Sequence, residues 1–299
     1  MLGELGNWAR AIRVPLLAAS VVSVVNGLVI AWSQLHVFNL LYAVLTLIGV
    51  VFAHASIDLL NDYFDFKKTI DLKTVRTRFS GGTGVLPERR LEPKSVYRMG
   101  MLLLVAGAVI GVLLTVSRGW VVGGFLLFGI LSIYFYSIKI ANVGLGEIFL
   151  VIKGTLIVLG SYYVQTLLLG VVPLYIGVIL GLLSASALYV NEFPDYEADK
   201  VCGRYNLVVR LGLRRAAKLY AIFPVLVFGM IIAGIVARII PLFGIVTLIA
   251  LPLCWRAAQS LWRAGFKGNS VLVPAMAQNV LAARIIGVVL AVSYLLVSV

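Results

Sequence analysis

Two short acidic clusters contain most of the residues in this chain whose types and spacing suit chemistry. The chain has 299 residues, of which only 12% are charged, yet eight of its twelve acidic residues fall into two places. The first cluster contains Asp58, Asp62, Asp65 and Asp71, and the second contains Glu192, Asp195, Glu197 and Asp199. Carboxylates this close repel one another unless a cation joins them, and oxygen ligands are those that Mg²⁺ prefers.

The two clusters share one spacing. Asn61 and Asp65 are four residues apart, and Asn191, Asp195 and Asp199 continue at intervals of four. On a helix this spacing places each set along one face, although a proline in the second set predicts a kink. Basic residues accompany both sets: Lys67, Lys68, Lys73, Arg76 and Arg78 beside the first, and Lys200, Arg204 and Arg210 beside the second. Carboxylates for a metal ion beside cations for anionic oxygens favour a diphosphate site over two solvated loops of mixed charge.

Long apolar segments must position these clusters. The chain is 62% hydrophobic with a mean hydropathy of +1.06, which is typical of an integral membrane protein. Because apolar runs of about 20 residues recur along it, we predict an all-α polytopic bundle of nine transmembrane helices. The predicted spans lie near 15–32, 39–60, 98–117, 119–137, 144–165, 171–192, 216–236, 239–255 and 279–298. The runs are continuously apolar rather than alternating, which disfavours a strand-based barrel.

The net charge of +13 follows the predicted topology. If the helices alternate and the N-terminus is cytoplasmic, 21 of the 25 basic residues fall on the cytoplasmic side, as the positive-inside rule expects. We therefore predict a multi-pass protein of the cell membrane, with the N-terminus and two Asp-rich loops, about 61–97 and 193–215, in a cytoplasmic polar cap. The basicity indicates topology rather than nucleic-acid binding, and the whole chain, 1–299, is predicted to be one domain.

The chain resembles the UbiA superfamily of intramembrane prenyltransferases, which are nine-helix proteins with two Asp-rich motifs on cytoplasmic-side loops. "NDYFDFKKTID" (61–71) is similar to the first motif and "NEFPDYEADK" (191–200) to the second. Many members have the last Asp of the first motif where this chain has Thr69, two residues before Asp71. The longer spacing resembles the MenA-type branch, which prenylates 1,4-dihydroxy-2-naphthoate, as do "SGGTGVLPERRL" (80–91) and "GRYNLVVRLG" (203–212). The "NRPxRP"-like stretch of many other members is replaced by "RTRFSGGTG".

The resemblance implies Mg²⁺-dependent transfer of an isoprenyl chain from a prenyl diphosphate to an aromatic acceptor, a naphthoate or quinone precursor, within the membrane. By motif position, the metal residues are Asp65, Asp71, Asp195 and Asp199, and the substrate-binding residues include Asn61, Asp62, Asn191, Lys200 and Arg204. Asp65 and Asp195 are then catalytic, because a metal ion and cations stabilise the diphosphate as it leaves. The implied partners are the two substrates and membrane lipids, with no nucleic acid and no protein partner.

An aromatic and basic segment at the end of the fourth predicted helix extends the predicted site. Lys139 matches the family's Tyr–Lys motif and is predicted either to contact the diphosphate or to anchor the helix at the membrane surface. Tyr134 and Tyr136 are predicted to shield the allylic cation with their ring faces, although aromatic residues are also common at membrane interfaces.

Three further basic residues are candidates. Lys153 lies in the middle of an apolar helix, where a charge is costly and usually faces a cavity, so a catalytic role is predicted. The alternatives for Lys153 are approach to the diphosphate or pairing with Glu147. Arg76 and Arg78 are predicted to bind phosphate, or to orient their loop towards the cytoplasm. His54, two turns before the first motif, is predicted to be a packed residue rather than a catalytic one.

Two other functions remain open at this point. Within the enzyme class, the alternative is geranylgeranyl transfer to a glycerol-phosphate lipid or to a benzoate. From another class, a cation-coupled transporter would also have many spans, but its site normally lies near the membrane midplane on broken helices. Here the acids cluster at the inner helix ends, which favours the prenyltransferase.

Overall fold

The architecture comes from a computed structural model that describes residues 2–74, 76–135, 144–263 and 269–297. Every regular element in these ranges is a helix. The helices are α1 (Leu2–Ala11), α2 (Val14–Leu35), α3 (Leu40–Lys67), α4 (Ile70–Lys73), α5 (Pro93–Arg118), α6 (Trp120–Phe135), α7 (Gly146–Thr166), α8 (Val171–Val201), α9 (Leu207–Leu211), α10 (Leu213–Leu219), α11 (Ile222–Val236), a 3₁₀ helix (Leu242–Ala250), α12 (Leu251–Arg263) and α13 (Asn269–Val297). Tyr136 and Lys139 lie outside the described residues, so their roles stay predictions.

Eight segments of the described chain are long and apolar enough to cross a membrane. They are α2, α3, α5, α7, α8, the segment Leu213–Val236, the segment Leu242–Arg263 and the segment Leu272–Val297. A further apolar helix, α6, has 16 described residues, fewer than the roughly 20 that span a bilayer. The predicted all-helical, multi-pass architecture is therefore confirmed, and the ninth span stays a prediction.

The two acid clusters differ from the prediction because their central residues lie on helices rather than in loops. α3 continues to Lys67 and α8 continues to Val201, well past the predicted ends at 60 and 192. Pro194 lies inside α8, where it removes one backbone hydrogen bond without ending the helix. The predicted ends follow the apolar runs, which stop at Leu60 and near Val190. Helical hydrogen bonding depends on the backbone, however, and tertiary contacts carry a helix beyond its apolar part.

The predicted span at 239–255 is displaced for a related reason. Pro241 precedes the 3₁₀ helix, and Pro252 lies in the first turn of α12, where no helical hydrogen bond is lost. Both prolines therefore mark helix starts rather than interruptions, and the spanning segment runs on to Arg263. The last helix likewise begins at Asn269, earlier than the predicted 279.

α7 and α8 pack backbone against backbone. A Cβ atom added to Gly181 would lie 2.5 Å from the carbonyl oxygen of Val151, and one added to Gly154 would lie 2.6 Å from the Cα of Gly181. Small residues that let two helices approach this closely are typical of membrane helix pairs. This contact sets the register between α7, which carries Lys153, and α8, which carries the second acid cluster.

We expect Gly181→Ala to destabilise the protein, because the new methyl group meets the α7 backbone, which cannot move aside as a side chain can. Overpacking of this kind typically costs about 1–3 kcal/mol. The measurement is the thermal unfolding midpoint of the detergent-purified protein, which should fall by several degrees. Gly229→Ala on α11 is the matched control, because no atom lies within 4 Å of its Cβ position. An equal fall in both variants would contradict the packing argument.

The remaining helices close the bundle around this pair. One apolar cluster joins α2, α8, α11 and α13 through fully buried side chains: Ile30, Ile176, Ile179, Ile231 and Ile286. A second cluster, near the end of α8 that carries the acids, packs Tyr189 and Phe193 against Tyr220, Leu261 and Met276. Burial of these side chains holds the polar end of α8 in a fixed position within the protein.

Candidate active site

Both acid clusters line one cavity of about 300 Å³. Its charged and amide lining comprises Asp58, Asp65 and Asp71 from the first cluster with the neighbouring Asn61, Glu192, Asp195 and Asp199 from the second with the neighbouring Asn191, and Arg13, Lys153, Arg204, Asn206 and Arg284. Apolar side chains of α2, α8 and α13, including Leu16, Leu183 and Val280, continue the wall. The structure thus brings together eight of the predicted site residues: Asn61, Asp65, Asp71, Lys153, Asn191, Asp195, Asp199 and Arg204.

The α8 face of the cavity presents carboxylate and amide oxygens without hydrogen-bond partners in the described part of the chain. The Oδ1 atoms of Asn191, Asp195 and Asp199 are buried and accept no hydrogen bond from the described residues. The other carboxylate oxygens are occupied: the backbone N–H of Gly81 donates to Asp195 Oδ2 over 3.2 Å, and Asn206 Nδ2 donates to Asp199 Oδ2 over 2.7 Å. Buried oxygens without a donor are costly, so this row of atoms is poised for a ligand that satisfies it.

On the opposite face, Asp65 is already neutralised by an arginine. Arg204 donates a hydrogen bond to Asp65 Oδ1, and its Nη1 lies 3.8 Å from Asp199 Oδ1. Asn61 Nδ2 donates to Asp65 Oδ2 over 3.0 Å. Arg204 therefore links the two clusters across the cavity. A guanidinium in this position also offers the planar donors that bind phosphate oxygens.

The oxygen atoms around this cavity fit a divalent cation that arrives with a phosphate-bearing ligand. The described residues contain no group of three or more His, Cys, Asp or Glu side chains close enough to enclose a metal ion by themselves. Mg²⁺, however, usually keeps waters and binds through one or two carboxylates plus substrate phosphates. The unpartnered α8 oxygens supply such ligands, and Arg204 supplies a cation for the remaining phosphate charge.

Comparison with known proteins identifies the family. A family model described as the UbiA prenyltransferase family matches residues 20–273. The chain belongs to this family.

Two curated relatives are both named 1,4-dihydroxy-2-naphthoate octaprenyltransferase. The Bacillus subtilis relative is 26% identical over 226 residues, which cover 73% of this chain and 71% of that protein. The Mycobacterium tuberculosis relative is 29% identical over 296 residues, which cover 94% of each chain. A solved UbiA homolog from Archaeoglobus fulgidus, bound to DMAPP and Mg²⁺, shares the fold with a TM-score of 0.57 and 16% identity, over 96% of this chain and 99% of that one. The predicted family and enzyme class, a prenyltransferase, are confirmed.

In this UbiA-family prenyltransferase, Asp62 lies outside the cavity and anchors the loop that follows α4. Its Oδ1 accepts a hydrogen bond from Arg13 Nη2 over 2.7 Å. Its Oδ2 accepts one from the Thr83 hydroxyl and one from the Thr83 backbone N–H over 3.3 Å. Both carboxylate oxygens of Asp62 thus accept hydrogen bonds from protein donors, and its substrate-binding role stays a prediction. Asp62 fixes both the connection between α1 and α2, through Arg13, and the loop, through Thr83, against α3.

Asp71, on the short helix α4, is surrounded by like charge. Burial, followed by the negative charges of Asp65 and Asp62, raises the pKa of Asp71 to about 8. A cation beside Asp71 would lower this pKa and restore the ionised carboxylate. The loop approaches it closely at Gly82, whose φ is +71° and where an added Cβ atom would lie 2.6 Å from Asp71 Oδ2. Only a glycine both adopts this positive φ without strain and leaves room for the Asp71 carboxylate at this position.

We expect Gly82→Ala to lower prenyl-transfer activity by about tenfold or more, because the methyl group displaces either the loop or the Asp71 carboxylate. Turnover of the purified variant measures this. Gly212→Ala is the matched control: its φ of +73° imposes the same backbone strain, but no atom lies within 4 Å of its Cβ position. If Gly212→Ala loses as much activity as Gly82→Ala, backbone strain rather than contact with Asp71 explains the effect.

Arg76 does not reach the cavity, because Glu88 binds it. Glu88 accepts hydrogen bonds from Arg10 over 3.0 and 3.2 Å and from Arg90 over 2.5 Å, and it also pairs with Arg76. These hydrogen bonds, that from Arg10 first, lower the pKa of Glu88 to about 2. The phosphate-binding role of Arg76 stays a prediction. The cluster instead ties the loop to α1.

Three other predicted substrate-binding residues also lie away from the cavity lining. The Arg78 guanidinium stacks 5.9 Å above the Phe79 ring. Lys200 is exposed at the end of α8, with its Nζ 5.8 Å from the centre of the Tyr196 ring. Tyr134 is 41% exposed on α6. A helix has several faces, so proximity in sequence to an acid motif did not decide which side chains point into the cavity.

Two arginines of the lining were not among the predicted site residues. Arg13 and Arg284 both line the cavity, and Arg284 Nη2 donates to the carbonyl oxygen of Pro15 over 2.7 Å. Arg13 is one of the 21 basic residues that the predicted topology places on the cytoplasmic side, and no site role was predicted for it. The available signal was its place directly before the first apolar run, within reach of the polar ends of other helices. Asp58, one turn before Asp62, also lines the cavity.

Proposed function

We propose that this enzyme transfers a polyprenyl chain from a prenyl diphosphate to a hydroxynaphthoate, with Mg²⁺ held by the two acid motifs. The observation that carries the proposal is the row of unpartnered oxygens on α8, which faces Asp65 and Arg204 across one cavity. The carboxylates of such a site would bind the metal ion, and the Arg204 guanidinium would bind the phosphate oxygens that the metal ion does not contact. The DMAPP and Mg²⁺ bound to the Archaeoglobus fulgidus homolog support this assignment.

The residues divide between metal and diphosphate. Asp65, Asp71, Asp195 and Asp199 would hold Mg²⁺, and Asn61, Asn191 and Arg204 would bind the diphosphate oxygens. When bound, the metal neutralises the charge that develops on the leaving diphosphate. Arg204 would bind the diphosphate oxygens and release the carboxylates of Asp65 and Asp199 for the metal ion. Asn61 keeps Asp65 oriented through its 3.0 Å hydrogen bond.

A second cavity provides the space for the isoprenyl chain. It has a volume of about 210 Å³, lies between α3, α5, α6 and α7, and is lined by apolar side chains such as Val50, Leu104, Phe125 and Phe149. It shares part of its wall with the first cavity. An apolar chain in this space keeps water from the allylic carbon once the diphosphate leaves.

The acceptor is proposed from the relatives. Two of them are named for 1,4-dihydroxy-2-naphthoate, and together they are similar to most of this chain. We also propose that the acid ends of α3 and α8 face the cytoplasm at the cell membrane, because most of the basic residues lie in segments on that side.

The test uses purified enzyme with geranylgeranyl diphosphate and 1,4-dihydroxy-2-naphthoate, with and without Mg²⁺, and follows the product by mass. We expect a prenylated naphthoquinol that forms only with Mg²⁺. Mg²⁺-dependent release of diphosphate without this product would show that the acceptor is wrong, and a glycerol-phosphate lipid or a benzoate would then be tested. No release from any prenyl diphosphate would contradict the proposal as a whole.

A further inference from the structure

The two cavities meet at a polar junction inside the membrane-spanning part of the protein. Five residues line both cavities: Ser20, His54, Ile57, Lys153 and Ile157. Among the described residues of the apolar cavity's lining, Lys153 is the one Asp, Glu, Lys or Arg side chain. His54 precedes Asn61 by seven residues on α3, so the junction lies about 10 Å deeper along the helix axis than the first acid motif.

A chain of polar groups leads from α2 to the junction. Ser20 Oγ is 2.7 Å from His54 Nδ1, and His54 Nε2 is 3.8 Å from Asp58 Oδ2. Asp58 Oδ2 is buried and accepts no hydrogen bond from any residue that the structure describes. Asp58 and Lys153 both line the first cavity, but no ion pair within 4.0 Å joins them. The wall of the first cavity therefore presents a donor at Lys153, in the junction, and an acceptor at Asp58, beside it, without direct contact between them.

A purely structural ion pair does not explain this arrangement. Removing two charges from water is costly, and the cost is offset only when the partners touch and their remaining hydrogen-bonding groups are satisfied. Within the described residues, no hydrogen bond or ion pair involving Lys153 is found. A charge that stays apart from its nearest opposite charge at a cavity wall is typical of a ligand site.

Lys153 is also poorly placed for the diphosphate. The diphosphate-binding groups proposed above lie at the ends of α3 and α8, where Arg204 already supplies a cation. The junction lies deeper, beside the apolar cavity and at the level of the first part of an isoprenyl chain. This is where an acceptor ring must lie to reach the allylic carbon.

We propose that Lys153 and Asp58 form the acceptor-binding site, and that they recognise an aromatic ring with an ionised carboxylate next to a hydroxyl group. The carboxylate accepts hydrogen bonds from the Lys153 ammonium, and the ring hydroxyl donates to Asp58 Oδ2. His54, held by Ser20, orients Asp58 from the other side. This inference rests on the proposed prenyl transfer and adds to it the residues that select an ortho-hydroxy carboxylate over an uncharged phenol.

Equilibrium binding without prenyl diphosphate tests the inference. Three fluorescent probes are titrated into the detergent-purified full-length protein: 1-hydroxy-2-naphthoate, 1-naphthol, which lacks the carboxylate, and 2-naphthoate, which lacks the hydroxyl. The wild-type protein should bind 1-hydroxy-2-naphthoate about tenfold or more tightly than either of the others, since each lost partner leaves a buried polar group unpaired.

Two variants separate the two contacts. Lys153→Met should weaken binding of 1-hydroxy-2-naphthoate and 2-naphthoate by about tenfold and leave 1-naphthol unchanged. Asp58→Leu should abolish the preference for 1-hydroxy-2-naphthoate over 2-naphthoate. Lys94→Met, which removes an exposed lysine at the start of α5, is the charge-matched control and should change none of these affinities. If Lys153→Met does not fold, Lys153→Gln replaces it, because glutamine keeps a polar group in the cavity.

The outcomes distinguish this inference from the proposed function. Equal losses for 1-naphthol and 1-hydroxy-2-naphthoate in Lys153→Met, or no loss for either, would overturn the inference even if prenyl transfer is observed. Carboxylate-dependent binding that requires Lys153 would support it, and would do so without any turnover in the assay. Failure of the proposed function would instead appear as no release of diphosphate from any prenyl diphosphate.

Discussion

Asp195→Asn should lower prenyl-transfer turnover by about a thousandfold, comparable to the loss of a principal group that stabilises transition-state charge. Asparagine has nearly the same size as aspartate and can still accept the hydrogen bond that Gly81 N–H donates to Asp195 Oδ2. The substitution removes the negative charge and leaves the loop contact in place. The unpartnered Oδ1 atom, which faces the cavity, then no longer belongs to a carboxylate that binds a cation.

Turnover at saturating substrate, together with the Mg²⁺ concentration that gives half-maximal activity, measures this effect. Glu197→Gln is the matched control, because Glu197 is an exposed acid on the same helix, two residues further along. It should retain activity close to that of the wild-type protein. A small loss in Asp195→Asn, similar to that in Glu197→Gln, would show that the α8 carboxylates do not hold the metal ion.

Arg204→Gln should raise the KM for prenyl diphosphate by about tenfold to a hundredfold, because charge-assisted hydrogen bonds to a phosphate are worth about 1.5–3 kcal/mol. The same change should lower the Mg²⁺ concentration needed for half-maximal activity. Arg204 donates to Asp65 and lies 3.8 Å from Asp199, so it competes with a metal ion for the same carboxylates. Its removal therefore favours the metal and disfavours the diphosphate.

The prediction is specific because the two changes have opposite directions: the KM for prenyl diphosphate rises, whereas the Mg²⁺ concentration for half-maximal activity falls. Arg210→Gln is the control, because Arg210 is exposed on α9 and its Nε donates to a backbone carbonyl, that of Tyr205, over 2.9 Å. If Arg204→Gln raises both the KM and the Mg²⁺ requirement, the variant has disordered the site, and Arg204 acts as a structural link between α3 and the segment after α8. If neither quantity changes, Arg204 does not bind the diphosphate.

Several features of the site followed from local sequence patterns. The interval of four residues in each acid cluster region predicted that Asn61 and Asp65 share one helix face, and that Asn191 and Asp195 share another. The helical backbone observed through both sets supports that prediction. Periodicity of this kind depends only on the geometry of one helix, so it can be read without knowledge of the rest of the protein.

The choice of partners among the basic residues did not follow from local patterns. Arg76 and Arg204 both follow an acid motif, yet Arg76 pairs with Glu88 whereas Arg204 reaches Asp65, 139 residues earlier in the chain. Lys153 and Asp58 line the same cavity although they lie on different helices, α7 and α3. Long flexible side chains bind whichever opposite charge lies within a few ångströms after the helices have packed, and proximity in sequence does not decide this.

The sequence by itself determined that this protein is a helical membrane protein with two matched acid sets, because apolar length and helical spacing are local properties. Its motifs also determined the family. Only the tertiary structure decided which acids face the cavity, which arginine bridges them and where the second cavity begins. Those features depend on the register of helices such as α7 and α8, whose contact at Gly181 is set by backbone packing rather than by any motif.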